Sequence, residues 1–134
     1  MKRMVSAILA ILLLLTGCGG TGAEPTDEKV EETTYQQITQ EEAKNMMDTQ
    51  DAIILDVREQ HEFDAGHIPG AILLPVGSIT EETAAAVIPE KDSVVLVYCR
   101  SGNRSKTASA ALVDLGYTGI YEFGGITTWP YEVE

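Results

Sequence analysis

A single cysteine stands beside a third of the basic residues of a strongly acidic chain. In "VYCRSGNRSK", residues 97–106, Cys99 directly precedes Arg100, and Arg104 and Lys106 follow closely. The 134-residue chain has nine Lys and Arg against 21 Asp and Glu, and its formal net charge is −12. Nearby cations favour the thiolate, which is the nucleophilic form of cysteine. These residue types at this spacing therefore indicate a reactive thiolate at Cys99.

The elements around Cys99 suggest how a thiolate would be held. Residues 93–99 form the strongest predicted strand, and residues 103–115 form a predicted helix with Gly116 as its C-cap. In open α/β sheets, ligands bind outside the carboxyl ends of the strands. The short loop between strand and helix can turn its N–H groups inward as an anion-binding nest. A buried structural cysteine is the alternative, but it leaves Arg100 and Arg104 unexplained.

Short apolar strands alternate with short helices along the rest of the chain. Residues 52–57 and 70–75 are predicted strands, and Thr39 and Thr80 are predicted N-caps of helices. Residues 119–123 form a last predicted strand. This alternation predicts an α/β fold with a mostly parallel central sheet flanked by helices.

The N-terminus has the charged, apolar and small segments of a secretory signal. Lys2 and Arg3 precede an apolar run over residues 4–15, which is shorter than the roughly 20 residues of a membrane-spanning helix. "LTGC", at residues 15–18, resembles the lipobox of bacterial lipoproteins. That resemblance implies a signal peptide over residues 1–17, a lipid on Cys18 and an extracytoplasmic, membrane-anchored protein. An uncleaved membrane anchor is the alternative.

Composition divides the remainder into a tether and one domain. Residues 18–34 contain many Gly, Thr and acidic residues, and too few apolar side chains to offset the entropy of ordering them. We predict that they form a flexible acidic tether and that residues 35–134 form a single domain. Without Lys2 and Arg3, seven basic residues remain against 21 acidic ones. That balance argues against nucleic acid as a partner.

The cysteine count excludes two kinds of chemistry. If Cys18 carries lipid, Cys99 is the one remaining thiol, so neither an intramolecular disulfide nor a dithiol redox cycle is predicted. Cys99 with His61 and His67 lacks a recognisable metal-ligand spacing. We therefore predict no metal site and no cofactor.

Three separated motifs resemble the signature segments of the rhodanese family, in the family's order. They are "DVREQHEFDAGHIPGA" at residues 56–71, "CRSGNRS" at residues 99–105 and "GGITTW" at residues 124–129. The resemblance covers residues 35–134 in one copy, and implies a single rhodanese-like domain with sulfurtransferase activity.

The resemblance also implies a mechanism and a set of site residues. In the family, the loop cysteine takes a sulfane sulfur from a donor such as thiosulfate and passes it, as a persulfide, to a thiophilic acceptor. Cys99 is then the persulfide carrier. The implied partners are a small sulfur-containing anion and a thiol or cyanide-like acceptor. The substrate-binding residues implied are Arg100, Ser101, Gly102, Asn103 and Arg104.

Other residues of the motifs are interpreted as supporting ones. Asp56 and Arg58 either pair and brace the active loop, which we favour, or Arg58 meets the substrate directly. Glu62 is expected to add to that pair. His67 is interpreted as a hydrogen-bonding turn residue and His61 as exposed. A tight turn at Gly124 and Gly125 and a core-covering indole at Trp129 complete the structural set.

Two further functions are weighed against sulfur transfer. Phosphatase and arsenate-reductase relatives of the family carry a loop one residue longer, whereas here Arg104 follows Cys99 by five positions. The loop also lacks a carboxylate that would protonate a leaving alcohol. A non-catalytic module that binds a sulfur anion or a partner is the second alternative. The intact loop favours catalysis, because a pure binding module would not need the cysteine.

Overall fold

The computed structural model describes residues 34–134. The predicted signal peptide, Cys18 and all but the last residue of the predicted tether lie outside the described residues. Within the described range, no helix is both long enough and apolar enough to cross a membrane.

Five parallel strands form one sheet with helices packed around it. The strands, in chain order, are β1 (Gln36–Gln37), β2 (Ile53–Asp56), β3 (Ile72–Leu73), β4 (Val95–Cys99) and β5 (Ile120–Gly125). The helices are α1 (Gln40–Thr49), α2 (Gln60–Ala65), α3 (Glu81–Val87) and α4 (Asn103–Asp114), with 3₁₀ turns at Val76–Ser78 and Ile126–Thr128. The sheet order is β1-β5-β4-β2-β3, and every strand pair is parallel. The predicted α/β class is confirmed.

Strand β4 lies at the centre of the sheet and is buried on both faces. On one face, Val95, Val97 and Cys99 belong to a core cluster that includes Leu112 of α4. On the other face, Leu96 and Tyr98 pack with Phe123 and Trp129. Burial on both faces explains why the sequence of this strand is a continuous apolar run. The alternation also directs the Cys99 side chain to the α4 side of the sheet.

The helix starts follow the sequence closely. Thr39 caps α1: its hydroxyl accepts a hydrogen bond from the Glu42 N–H at 3.0 Å, and the Glu42 carboxylate accepts one from the Thr39 N–H at 2.8 Å. Thr80 caps α3 in the same reciprocal way. Helix α4 ends one residue earlier than predicted. Leu115 is its C-cap, and Gly116, with φ of +100°, is the following residue.

Among the strands and α-helices, two were not predicted from the sequence. Strand β1 has two residues, and α2 has six residues of which only Phe63 is a large apolar side chain. Neither is long enough to show a hydrophobic period.

The end of β5 lies directly against the loop that follows Cys99. Pairing between β4 and β5 is irregular here, with Val97 opposite Glu122 but Cys99 opposite Gly125. A Cβ atom on Gly125 would overlap the carbonyl of Arg100 and lie 2.6 Å from the backbone nitrogen of Ser101. The second glycine of the pair is therefore required because a strand backbone touches the loop backbone.

Gly125→Ala is expected to destabilise the domain, because the added methyl group forces β5 away from the loop. Overpacking of this kind costs about 1–3 kcal/mol in the free energy of unfolding. Urea denaturation would measure it. Gly77→Ala is the matched control, since no atom lies within 4 Å of a Cβ at that position. Equal unfolding midpoints for the two variants would contradict the proposed contact.

Candidate active site

The sulfur of Cys99 lies inside a tight loop at the carboxyl end of β4. Cys99 is only 1% exposed, and the backbone N–H of Gly102 donates a hydrogen bond to its Sγ at 3.0 Å. Gly102 has φ of +110°, a conformation that favours glycine, and it is the N-cap of α4. The sulfur therefore sits at the positive end of a twelve-residue helix.

The surroundings of the sulfur favour its charged form. Burial acts to raise the pKa of the Cys99 thiol. Hydrogen bonding by the Ser105 hydroxyl and by the N–H groups of Ser105, Gly102 and Ser101 outweighs burial, so the pKa lies below its ordinary value. The loop is thus built to stabilise a negative charge on sulfur.

The basic residues of the loop occupy different positions. The Arg100 side chain is exposed, and its carbonyl accepts hydrogen bonds from the N–H and the hydroxyl of Thr127 at 3.2 and 3.1 Å. Arg104 binds the Glu62 carboxylate with two hydrogen bonds, of 2.7 and 3.0 Å. Lys106 is exposed on α4. The predicted loop residues Ser101 and Asn103 are also exposed, whereas Gly102 is buried.

The sequence led us to expect that Glu62 would join the Asp56–Arg58 pair. Instead, its carboxylate accepts hydrogen bonds from Arg104. Glu62 lies on α2, and its carboxylate points toward Arg104 in the first turn of α4. The same carboxylate accepts a hydrogen bond from the backbone N–H of Glu59 at 3.1 Å. The hydrogen bond from Arg104 is the main cause that lowers the pKa of Glu62 to about 2. Arg104 is thus tied to α2 and remains one-third exposed.

Asp56 and Arg58 form a buried ion pair in which the closest nitrogen and oxygen lie 2.7 Å apart. The Tyr98 hydroxyl donates to Asp56 at 2.6 Å, and Arg58 also donates to the Gly66 carbonyl at 2.7 Å. Arg58 is 4% exposed, so its guanidinium is not free to meet a substrate. This arrangement favours the bracing interpretation, with Tyr98, the residue before Cys99, as the connection to the loop.

The remaining predicted residues have structural surroundings. His67 Nδ1 lies 2.9 Å from the Phe63 carbonyl, and its ring stacks on the Phe63 ring with centroids 3.7 Å apart. His61 is exposed. Trp129 packs against Phe123, with ring centroids 5.5 Å apart. These contacts agree with the structural roles expected for His67 and Trp129.

Two buried polar residues beside the sulfur were not selected from the sequence. The Ser105 hydroxyl lies 3.5 Å from Cys99 Sγ and 2.5 Å from Glu122 Oε2. The available signals were a serine on the apolar side of α4 and a single carboxylate within the apolar run of β5. Their proximity depends on how α4 packs on β5, which the sequence pattern does not specify.

Known proteins resemble this chain in sequence and in fold. The rhodanese-like domain family matches residues 39–131, and the chain belongs to that family. It is an enzyme of the rhodanese-type sulfurtransferase class, as predicted.

Individual relatives cover most of the domain. The thiosulfate sulfurtransferase GlpE of Coxiella burnetii is 34% identical over 96 residues, or 71% of this chain and 87% of that protein. A sulfurtransferase of Allochromatium vinosum is 39% identical over 88 residues, or 65% of this chain and 79% of that protein. A rhodanese with anions from E. coli superposes with a TM-score of 0.59 at 30% identity, covering 63% of this chain and 98% of that chain.

Glu62→Gln is expected to destabilise the domain in a pH-dependent way. Because the folded pKa of Glu62, about 2, is below its ordinary value of 4.5, the ion pair contributes stability above about pH 4.5 and loses it as the pH falls toward 2. Arg104 is one-third exposed, so we expect about 1 kcal/mol at pH 7. Chemical denaturation of the wild type and the variant, at pH 7 and near pH 2, would measure the difference in their free energies of unfolding.

The exposed carboxylate of Glu82 on α3 provides the control, and Glu82→Gln should change little at either pH. A Glu62→Gln effect of the same size at pH 7 and near pH 2 would show that the ion pair is not its source.

Proposed function

We propose that this chain is a lipid-anchored, extracytoplasmic sulfurtransferase that moves a sulfane sulfur through a persulfide on Cys99. The donor is a small sulfur-containing anion such as thiosulfate, and the acceptor is a thiol or a cyanide-like anion. One observation carries the catalytic part of the proposal. Cys99 Sγ accepts the Gly102 N–H at the N-terminus of α4, in a site that favours a negatively charged sulfur. The relatives named as thiosulfate sulfurtransferases support the choice of donor.

In the first step, the Cys99 thiolate attacks the outer sulfur of thiosulfate. The new bond joins Cys99 Sγ to that sulfur, the S–S bond of thiosulfate breaks, and its electron pair leaves with sulfite. The enzyme then carries an anionic persulfide. The N–H groups of Ser101, Gly102 and Asn103 follow the sulfur in the chain, and form the proposed cradle for the added atom.

In the second step, a nucleophilic acceptor attacks the outer sulfur of the persulfide. The bond between the two sulfurs breaks and its electrons return to Cys99 as thiolate. Cyanide leaves as thiocyanate, and a thiolate leaves as its own persulfide. No cofactor is required, because in each step one bond to the transferred sulfur forms as another breaks, and Cys99 returns to a thiolate at the end of the cycle.

Arg100 and Arg104 are proposed to attract the anionic donor to the loop. Arg100 is exposed beside Cys99, and Arg104 keeps one-third of its side chain accessible although Glu62 binds it. A cation close to the sulfur offsets the acidic surface locally, since the charge of distant carboxylates is screened over about 8 Å at physiological salt.

Incubating the full-length chain, in detergent, with thiosulfate is expected to add one sulfur atom to Cys99. Trypsin cuts after Lys91 and Arg100, so non-reducing mass spectrometry of the peptide 92–100 reports on this cysteine alone. Cyanide should remove the sulfur as thiocyanate. Cys99→Ser should abolish the addition, because a hydroxyl is a poor nucleophile at neutral pH.

Cys18→Ser is the matched control for the cysteine itself. It removes the other cysteine of the chain and should leave sulfur uptake at Cys99 unchanged. If wild-type Cys99 takes up no sulfur from thiosulfate or from persulfide donors, catalysis is excluded, and the binding-module alternative replaces it.

The anchoring part of the proposal rests on residues 4–18 of the sequence. Cys18→Ala is expected to leave the precursor uncleaved or its product without lipid, because the thioether requires the cysteine sulfur. Mass spectrometry of the wild-type protein from membranes would test this directly. An unmodified Cys18 in that fraction would refute the anchor and leave the sulfur chemistry unaffected.

A further inference from the structure

Behind the Cys99 sulfur lies a second acidic group that the two transfer steps do not use. Glu122, on β5, is 2% exposed, and its Oε2 lies 2.5 Å from the hydroxyl of Ser105. Ser105, on α4, is fully buried, and the same hydroxyl lies 3.5 Å from Cys99 Sγ. Cys99, Ser105 and Glu122 thus form a continuous chain of hydrogen-bonding groups inside the protein.

The Ser105 hydroxyl has one hydrogen and several candidate acceptors. The carbonyls of Gly102 and Gly124 lie 3.1 and 3.4 Å away, whereas the Glu122 carboxylate lies at 2.5 Å. Hydrogen bonds to ionised acceptors are the shorter and stronger ones, so the hydrogen belongs to Glu122. The lone pairs of Ser105 Oγ are then free to accept the S–H of Cys99.

Glu122 is held by neutral donors. The Gly124 N–H donates to its Oε2 at 3.0 Å and the Gln37 amide donates to its Oε1 at 3.2 Å. Among residues 34–134, no Lys, Arg or His forms a salt bridge with it. A second buried negative charge, on Cys99, would therefore be costly while Glu122 stays ionised. Transfer of the thiol proton to Glu122 avoids that cost, because the cluster keeps one negative charge throughout.

We infer that Ser105 and Glu122 form a proton relay that activates Cys99, an inference that rests on the proposed role of Cys99 as the nucleophile. The S–H bond breaks, its electron pair stays on sulfur, and the proton passes to Ser105 Oγ. The original hydroxyl proton of Ser105 passes to Glu122 Oε2, which becomes a carboxylic acid. Ser105 then donates its new O–H to the thiolate. Ser105 contacts the reacting sulfur, and Glu122 is a positioning residue that acts through it.

The other charged groups around this cluster lie on α4, on α2 and on the opposite face of the sheet. Arg104 lies on the first turn of α4, and its hydrogen bond to Glu62 is the main cause that raises its pKa, with a smaller contribution from the charge of Cys99. Its partner Glu62 has a pKa of about 2. Lys106 lines the same cleft as Glu122, and the Asp56–Arg58 pair packs with Tyr98 on the opposite face of the sheet. None of these groups hydrogen-bonds to the side chain of Cys99, Ser105 or Glu122, so the titration of Cys99 reactivity reports on the relay.

The test is the pH dependence of Cys99 alkylation by iodoacetamide in the full-length chain, followed on the tryptic peptide 92–100. In Glu122→Gln, which keeps the size of the side chain but cannot take the proton, the profile should move up by about one pH unit or more. At neutral pH the rate should fall about tenfold, since one unit of pKa is a factor of ten. At high pH both proteins should react equally fast.

Ser105→Ala should produce the same shift, because it interrupts the relay at its middle. The double variant Ser105→Ala/Glu122→Gln should match either single variant, since two changes in one chain of contacts are not additive. Ser105→Thr retains the hydroxyl and should restore most of the reactivity.

Ser109→Ala is the matched control for loss of a buried serine hydroxyl on α4. Ser109 is also fully buried, and its hydroxyl has no hydrogen-bond partner among the described residues. Its alkylation profile should equal that of the wild type. Thermal unfolding of every variant would confirm that folded proteins are compared.

Three results would overturn the relay. A downward shift in Glu122→Gln would mean that Glu122 only repels the thiolate, and an unchanged profile would mean that its role is only structural. Additive shifts in the double variant would separate Ser105 from Glu122. Failure of the wild-type chain to take up sulfur would overturn the proposed function but not this comparison, which measures the thiol itself.

Discussion

A negative charge on a sulfur atom that is cut off from water must be stabilised by the protein, and the rest of this structure follows from that requirement. Cys99 ends the most buried strand, so its sulfur depends on the N–H groups of the loop and on Ser105 of α4 for stabilisation. The Gly102 N–H reaches it because Gly102 adopts a left-handed conformation at the start of α4. Gly125 lacks a side chain, which allows β5 to lie against the same loop and close it.

The two ion pairs near the loop have different structural roles, because one is buried and the other is partly exposed. The Asp56–Arg58 pair is buried, and losing one partner of such a pair typically costs 3–5 kcal/mol. It fixes the chain at the end of β2 and holds the Tyr98 hydroxyl. The Glu62–Arg104 pair is partly exposed and joins α2 to the first turn of α4. The buried pair holds the scaffold in place, and the partly exposed pair fixes the direction of the Arg104 side chain.

The sequence was sufficient for the features that depend on local pattern. Strand β4, helix α4 and the position of Cys99 between them followed from apolar runs, helical spacing and turn chemistry. Contacts that depend on packing between elements were not predictable. Arg104 pairs with Glu62 because of α2, a helix with too few residues to show a period. Ser105 meets Glu122 because α4 packs on β5 where the pairing of β5 with β4 is irregular, and the sequence pattern does not specify that contact.

The buried carboxylate also explains how a highly acidic domain can hold a reactive thiolate. Surface carboxylates are screened by salt, so they set the long-range field and have little effect at the sulfur. Glu122 is inside the protein, where screening is weak, and its charge would oppose a thiolate 3.5 Å beyond the Ser105 oxygen if it could not be neutralised. A proton shared among sulfur, hydroxyl and carboxylate removes that conflict. The N–H groups of the loop point to the sulfur, so they stabilise the one remaining negative charge there.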